Sequence, residues 1–213
     1  MGRHRLTGSW STVSLAATAP DLAAMDAAAA WSWLAGELAA AAGSARHGLH
    51  LLTLASVDDD GTPAARTVVL RRFDAESREI RFHTDVRSPK VAAIRRRPSV
   101  ALHWYDAGLR VQVRIAATAT VHQGDPIAAA AWAAAQGMSR ACYTAPHAPG
   151  TPLDSFPVAP AVPADDDEAG LGTFAVVACR FDAVELLCLH AGGHQRVRLH
   201  VAATPVTWDV LAP

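Results

Sequence analysis

The stretch Arg66-Thr67-Val68-Val69-Leu70-Arg71 is the most informative part of the chain, because it places a guanidinium group at each end of a β-branched, apolar core. Alternate residues of an extended strand share a face, so Arg66, Val68 and Leu70 point to one side. A plain β-barrel would fill the two end positions with uncharged side chains. The stretch therefore predicts a barrel strand that also carries part of a binding site.

Further strands with polar ends follow this one. Ile80 to Thr84 forms the next predicted strand, and the turn from Asp85 to Lys90 then supplies a hydroxyl and an ammonium group before a helical run, Val91 to Arg97. The runs Val100 to Tyr105 and Val111 to Ile115 are spaced as a hairpin. Phosphate sites combine guanidinium, hydroxyl and ammonium groups with a helix N-terminus. The region predicts a site for a phosphorylated, flat, polar ligand.

The rest of the chain predicts a small antiparallel barrel with peripheral helices. Alanine-rich runs at Ala27 to Ala42 and Ala128 to Ala135 favour helices, the first with an apolar stripe through Leu22, Met25, Ala29, Trp33 and Leu34 and with Asp21 near its start. Four more strands are expected near the C-terminus, at Thr173 to Phe181, Ala183 to His190, Gln195 to Val201 and Thr207-Trp208. Many short strands with few helices favour a closed barrel.

Length and composition limit the class of protein. A chain of 213 residues suits one domain, 1–213, with an N-terminal helical segment over 1–45 and an exposed loop over 146–172 that contains the acidic run Asp165 to Glu168. Nineteen basic residues against 20 acidic ones argue against nucleic acid as a partner. Three scattered cysteines indicate neither a disulfide framework nor a metal site. With no signal-peptide or membrane-spanning pattern, we expect a cytoplasmic protein.

Four motifs, taken together, resemble the pyridoxamine 5′-phosphate oxidase family. That family builds its flavin site from an Arg-x-Val-Leu-Leu-Lys strand, an aromatic-Thr strand end, a Ser-Arg-Lys turn and a Gln-Val-Arg strand. The corresponding residues here are Arg66 to Arg71, His83-Thr84, Ser88-Pro89-Lys90 and Gln112-Val113-Arg114. The resemblance covers the chain from about Leu49 onward and implies a six-stranded antiparallel split barrel that binds FMN at the interface of a homodimer.

The resemblance also implies a role for each matched residue. Arg66 and Lys90 would hold the FMN phosphate, Thr84 and Ser88 would add hydroxyl hydrogen bonds, and Gln112 would face the polar edge of the ring. Val68 and Val69 would bring strand backbone to the ring. The full implied cofactor set is Arg66, Thr67, Val68, Val69, Leu70, Arg71, His83, Thr84, Ser88, Lys90 and Gln112.

The substrate half departs from the family pattern. The oxidases clamp the substrate phosphate with a Tyr, an Arg and a Ser on the helix that follows the Gln strand, whereas that helix here is mostly alanine between Pro126 and Gln136. Ser139 follows at the right distance, and the neighbouring Arg140 is either a substitute clamp or a helix C-terminal cation. The expected substrate contacts are Arg71, Ser139, Arg196 and Arg198; no residue stands out as a catalytic acid or base.

Several functions remain open. The resemblance implies an FMN-dependent oxidoreductase that oxidises a small amine or alcohol with oxygen as acceptor. An NAD(P)H-dependent flavin reductase, a flavin-binding protein without turnover and a haem-handling split barrel are the alternatives. Taken singly, the residues also have plainer interpretations: Ser88 as a helix N-cap, and Arg81, Arg87 and Arg95 to Arg97 as solvated charges.

Overall fold

The computed structural model describes residues 19–135, 137–158 and 168–213. The N-terminal residues 1–18, Gln136 and the segment 159–167 lie outside this description, and with them the start of the predicted N-terminal segment and Asp165 to Asp167 of the acidic run. The described part of the predicted loop over 146–172 has only turns, bends and a short 3-10 helix at Leu171–Thr173.

Ten strands and four α-helices are found within the described residues. The strands are β1 (Leu51–Val57), β2 (Pro63–Val69), β3 (Arg72–Asp74), β4 (Glu79–Asp85), β5 (Ser99–Asp106), β6 (Val111–His122), β7 (Phe174–Arg180), β8 (Ala183–Cys188), β9 (Gln195–His200) and β10 (Thr207–Leu211). The helices are α1 (Ala27–Gly43), α2 (Pro89–Arg96), α3 (Pro126–Ala134) and α4 (Gly137–Ala141).

The strands form one antiparallel sheet that curls on itself and divides at β6. The main path runs β10-β9-β8-β6-β5-β1-β2, while β4 and β7 form a branch that also pairs with β6. Residues 111–114 of β6 pair with β8, and residues 118–122 of the same strand pair with β7. This division of one long strand between two neighbours gives the split barrel and confirms the predicted fold class.

The chain between β2 and β4 closes the barrel. The Leu70 N–H donates to the His50 carbonyl at 2.9 Å, and the Arg71 N–H donates to the Arg81 carbonyl at 2.9 Å. Leu70 is thus held to the segment before β1, and Arg71, the next residue, is held to β4. We call this junction between β2 and β4 the seam of the barrel. The alternation predicted for β2 is observed, since Val68 and Leu70 are buried and Arg66 is half-buried on their face.

The core occupies the barrel interior and is covered at one side by α1. Helix α1 buries Ala30, Leu34, Leu38 and Ala41. The predicted stripe is confirmed at Leu22 and Leu34, which are buried, and at Met25 and Trp33, which are half-buried against the core; it is wrong at Ala29, which is exposed while Ala30 faces the core. Its N-cap is Asp26, whose side chain accepts from the Ala29 N–H at 2.7 Å. No helix among the described residues is long and apolar enough to cross a membrane.

Candidate functional site

Four of the residues predicted to bind phosphate meet where β2 and β4 approach the start of α2. The Lys90 ammonium donates to Thr84 Oγ1 at 2.9 Å and to Ser88 Oγ at 2.7 Å. Arg66 lies close enough for its charge to act on Lys90. These four residues, Arg66, Thr84, Ser88 and Lys90, are called the cation cluster below. Thr84 and Ser88 are buried, and the two cations are half-buried.

The Ser88 hydroxyl does not cap α2, although Ser88 occupies the N-cap position. The structure has no hydrogen bond from its side chain to the first turn of the helix; instead the hydroxyl accepts from Lys90. The plain helix-cap interpretation therefore does not account for this residue. The cluster faces a helix N-terminus, where the peptide dipoles favour an anion.

The charge of the cluster is not compensated by a carboxylate. Buried Asp85 is the nearest acid, but Arg87 binds it through Nη2 at 2.6 Å and Nε at 3.0 Å. Among the described residues, no carboxylate lies within ion-pair distance of Arg66 or Lys90. Burial first, and then the charge of Arg66, lower the pKa of Lys90 below its usual value. An anion in the cluster would oppose both effects, because an adjacent negative charge favours the protonated form of the lysine.

The predicted ring contacts lie along β2 and on the outer face of β6. Strand β2 ends the main strand path, so its far edge is not paired within the described part of the chain. Thr67 is exposed and Val69 half-buried on the outer face of β2. Gln112 is half-buried and lies between Tyr105 on β5 and Leu187 on β8 in the cross-strand register. The path β2-β1-β5-β6 places Gln112 roughly 14 Å from β2 along the sheet, at about 4.8 Å per strand.

A cavity of about 520 Å³ lies on the other side of β4 from the cation cluster. It brings together three predicted contacts, Arg71, His83 and Ser139, with alanine side chains of α3. Burial, and secondarily the charge of Arg71, lower the pKa of His83 to about 4, so this imidazole is neutral at pH 7. Its ring packs edge-on against Phe174 with centroids 4.9 Å apart, which fixes its position.

Arg140 next to this cavity has a structural role. The side chain is buried, donates from Nη2 to the Trp132 carbonyl at 2.9 Å and stacks over the Trp132 ring at 5.0 Å. A cation that satisfies the last carbonyls of a helix stabilises the helix end. Of the two interpretations of Arg140, the structure favours the helix C-terminal cation.

The other two predicted substrate contacts, Arg196 and Arg198, lie on β9 and share one carboxylate. Arg196 Nη2 donates to Glu185 Oε2 at 2.6 Å, and Arg198 Nη2 donates to Glu185 Oε1 at 2.7 Å. Arg114 approaches the same carboxylate at 3.5 Å. These hydrogen bonds, Arg196 first, lower the pKa of Glu185 to about 2. Arg196 and Arg198 lie five strands away from β2 along the sheet, Glu185 four and Arg114 three, so this group is separated from the cation cluster along the sheet of one copy.

The sequence left some important residues unassigned. Ser56 accepts from Arg66 Nη1 at 2.6 Å, and Glu185 organises the β9 arginines. Arg87 and Arg81 were expected to be solvated, but they pair with Asp85 and Glu79 respectively. Arg95 to Arg97 are exposed as predicted, although Arg96 also pairs with Asp59 at the surface.

Comparison with known proteins relates this geometry to one family. Residues 29–123 match the family model described as pyridoxamine 5′-phosphate oxidase, FMN-binding domain. Pyridoxine/pyridoxamine 5′-phosphate oxidase 2 of Arabidopsis thaliana is 32% identical over 109 residues, which cover 48% of this chain and 54% of that protein. The corresponding oxidase of Caulobacter vibrioides is 40% identical over 67 residues, 32% of this chain and 29% of that protein. The chain thus spans about half or less of these curated relatives.

Solved structures resemble the chain over more of its length. An FMN-binding protein from Nostoc punctiforme, related to pyridoxamine 5′-phosphate oxidase, is 25% identical with a TM-score of 0.72, covering 86% of this chain and 97% of that one. PhzG from Burkholderia lata, with a TM-score of 0.64 and 16% identity over 85% of this chain and 91% of its own, shares the fold. The residues that match the family model, 29–123, include the strands that carry the cation cluster.

Proposed function

We propose a function from one premise: the chain belongs to the pyridoxamine 5′-phosphate oxidase family, whose FMN-binding domain residues 29–123 match. The proposal is an FMN-dependent oxidoreductase that oxidises a small amine or alcohol and uses oxygen as acceptor. The single observation that carries it is the uncompensated positive charge of the cation cluster beside a helix N-terminus.

The residues of the cluster fit the phosphate of FMN. Lys90 uses two of its three N–H donors on Thr84 and Ser88, which leaves one for a further acceptor. Arg66 uses Nη1 on Ser56 and on the Ala64 carbonyl, which leaves its remaining N–H groups. The charges of Arg66 and Lys90 repel each other. A dianion bound between them would relieve this repulsion, whereas a neutral ligand would not.

Each group of residues has its own part in this function. FMN supplies the redox chemistry when bound, by accepting a hydride from the substrate. The cation cluster fixes the phosphate end, and the unpaired edge of β2 offers backbone groups along Thr67 to Leu70. Gln112 would hydrogen-bond the polar edge of the ring and thereby tune its reduction potential. Hydride transfer from a carbon needs alignment more than an acid or base, so orientation is the main contribution of the protein.

A homodimer accounts for the separation of the two predicted groups of site residues. Arg66 and Lys90 lie at one seam of the barrel, whereas Gln112, Arg196 and Arg198 lie three to five strands away along the sheet. The outer face between them carries exposed Leu51 and Tyr105, 55% and 51% accessible. In this proposal a second copy covers that face and brings its own Gln112 and β9 arginines to the FMN held by the first. Light scattering during gel filtration tests the homodimer, for which we expect twice the chain mass of 22.4 kDa.

The visible absorption spectrum of the purified protein tests the function itself. We expect flavin bands that survive desalting after incubation with FMN. Bleaching of these bands by pyridoxamine 5′-phosphate, or peroxide formation in air, would identify a vitamin B6 oxidase. Protein that retains no flavin would contradict the proposal at its first step.

A flavin reductase that takes electrons from NAD(P)H is the second candidate. The observation that favours it is the α3 wall, where Ala130, Ala131 and Ala134 leave space but offer no hydrogen-bond donor for a phosphate clamp. Anaerobic addition of NADPH to the FMN-loaded protein separates the two candidates. Rapid bleaching by NADPH, with none by amines or alcohols, would select the reductase.

A further inference from the structure

The cavity between α1, β4 and α3 has the size and position of a substrate pocket. Its volume of about 520 Å³ falls in the range of small-molecule sites, about 300–1,000 Å³. One wall is apolar and consists of Ile127 and the small side chains Ala130, Ala131 and Ala134 of α3. The opposite wall is polar and carries Arg71 and His83.

The polar wall presents one uncompensated charge. Two further arginines line the cavity, but Arg72 pairs with Asp74 at 3.5 Å and Arg81 pairs with Glu79 at 2.5 Å. Within the part of the chain that the structure describes, no carboxylate lies within ion-pair distance of Arg71. His83 is neutral at pH 7 and adds no charge. The pocket therefore complements a single negative charge.

The α3 wall provides nothing that would hold a phosphate ester. A phosphate dianion needs several donors to replace its water, and alanine side chains have none. Ser139 contributes one hydroxyl and Arg71 one guanidinium group. Small apolar side chains instead leave room for the flat body of a ring, which gains free energy by leaving water.

We propose that this pocket takes an organic monoanion with an apolar, ring-sized body, whose carboxylate pairs with Arg71 and whose ring packs against the alanine wall of α3. The inference rests on the proposed function, because it names the class of substrate that lies next to the flavin. It sets this chain apart from an enzyme that selects its substrate by a phosphate group.

Isothermal titration calorimetry of the full-length protein with 2-naphthoate tests this directly. The uncharged 2-naphthalenemethanol serves as the matched probe for the ring alone, and pyridoxamine 5′-phosphate serves as the phosphate probe. Arg71→Gln removes the charge and Ala131→Leu fills the apolar wall. Arg95→Gln is the control, since Arg95 is an exposed arginine at the far end of α2.

We expect 2-naphthoate to bind more tightly than both other probes. Arg71→Gln should weaken the binding of 2-naphthoate about tenfold or more, which is the equivalent of one charged hydrogen bond. The same substitution should change the affinity for 2-naphthalenemethanol by less than about twofold. Ala131→Leu should weaken the binding of both naphthalene probes, whereas Arg95→Gln should change the affinity for neither. Equal binding of naphthoate to Arg71→Gln and wild type, tighter binding of pyridoxamine 5′-phosphate, or no naphthoate binding would each overturn the inference.

FMN retention, measured on the same preparations, keeps the two proposals apart. Protein that retains FMN but does not bind naphthoate overturns the pocket inference and leaves the flavin function standing. Protein that binds naphthoate through Arg71 but retains no FMN supports the pocket assignment and contradicts the flavin function.

Discussion

Replacing Lys90 with methionine tests the phosphate site most sharply. Methionine keeps the length of the half-buried side chain and removes the ammonium group, including the donor not used by Thr84 and Ser88. A charge-assisted hydrogen bond contributes about 1.5–3 kcal/mol, and partial burial places this one in the upper part of that range. We therefore expect FMN to bind Lys90→Met about 30- to 150-fold more weakly than wild type.

Riboflavin, which lacks the phosphate, is the internal control. Its affinity should be the same for wild type and Lys90→Met to within about twofold, because only the phosphate end is affected. Both affinities can be measured by quenching of flavin fluorescence. Arg95→Met removes a cation from the exposed end of the same helix and should leave FMN binding unchanged. Equal losses of FMN and riboflavin affinity in Lys90→Met, or a loss of FMN affinity in Arg95→Met, would refute the phosphate assignment.

The stability of the protein without flavin gives a second, independent readout. Burial and Arg66 lower the pKa of Lys90, so the protonated lysine destabilises the folded state at neutral pH. This cost is present below the lowered pKa and disappears as pH rises toward the ordinary value of 10.5. Lys90→Met removes this cost but also removes the hydrogen bonds to the buried Thr84 and Ser88 hydroxyls. Without FMN, the free energy of unfolding of Lys90→Met relative to wild type should therefore fall as pH rises toward 10.5, because the wild type alone gains stability over that range. A difference that does not change with pH would contradict this account.

Three further perturbations have defined outcomes. Glu185→Gln should lower the free energy of unfolding by about 1–3 kcal/mol at pH 7. Urea titrations should show this difference shrinking as pH falls from about 4.5 to about 2, because the unfolded wild-type carboxylate already takes up a proton near pH 4.5 and the folded one only near pH 2. Gln112→Ala should shift the flavin midpoint potential by roughly 20–40 mV in a dye-equilibration assay while changing the FMN dissociation constant less than about threefold. Trp104→Phe should cost about 1–3 kcal/mol in urea unfolding, because the buried Leu49 carbonyl loses its 2.9 Å hydrogen bond from the indole; an unchanged midpoint would contradict this account.

Local patterns in the sequence predicted eight of the ten strands of the described residues, all but β1 and β3, because alternation is a property of neighbouring residues. The face assigned to Arg66, Val68 and Leu70 and the turn that brings Ser88 to Lys90 both depend on short spacings. The end of β6 was missed: the strand was expected to stop near Ile115 but continues to His122. Its second half is mostly alanine and threonine, and alanine has little strand preference of its own. The pairing with β7, some 60 residues later, is what extends the strand.

Charges were predicted less well than strands, because their partners depend on side-chain geometry. Arg87 lies two residues from Asp85, a spacing that alone does not suggest an ion pair, yet the turn after β4 folds the guanidinium group back onto the buried carboxylate. Glu185 was unremarkable in an apolar run until β9 placed Arg196 and Arg198 beside it. Its register with β9 is a long-range property, which no single segment contains.

The ion pair between Asp85 and Arg87 explains why the cation cluster is left available for a ligand. Asp85 could neutralise Lys90 directly, since it lies close enough to raise the pKa of Lys90, but its oxygens are occupied by Arg87. Arg87 thus keeps Asp85 from forming an ion pair with Lys90. Arg87 also donates to the Ala145 carbonyl at 2.9 Å, which holds the turn after β4 in place. A fold selected for stability alone would pair Lys90 with Asp85, because buried like charges oppose folding. The unpaired Arg66 and Lys90 are therefore best understood as groups kept for an anion that binds between them.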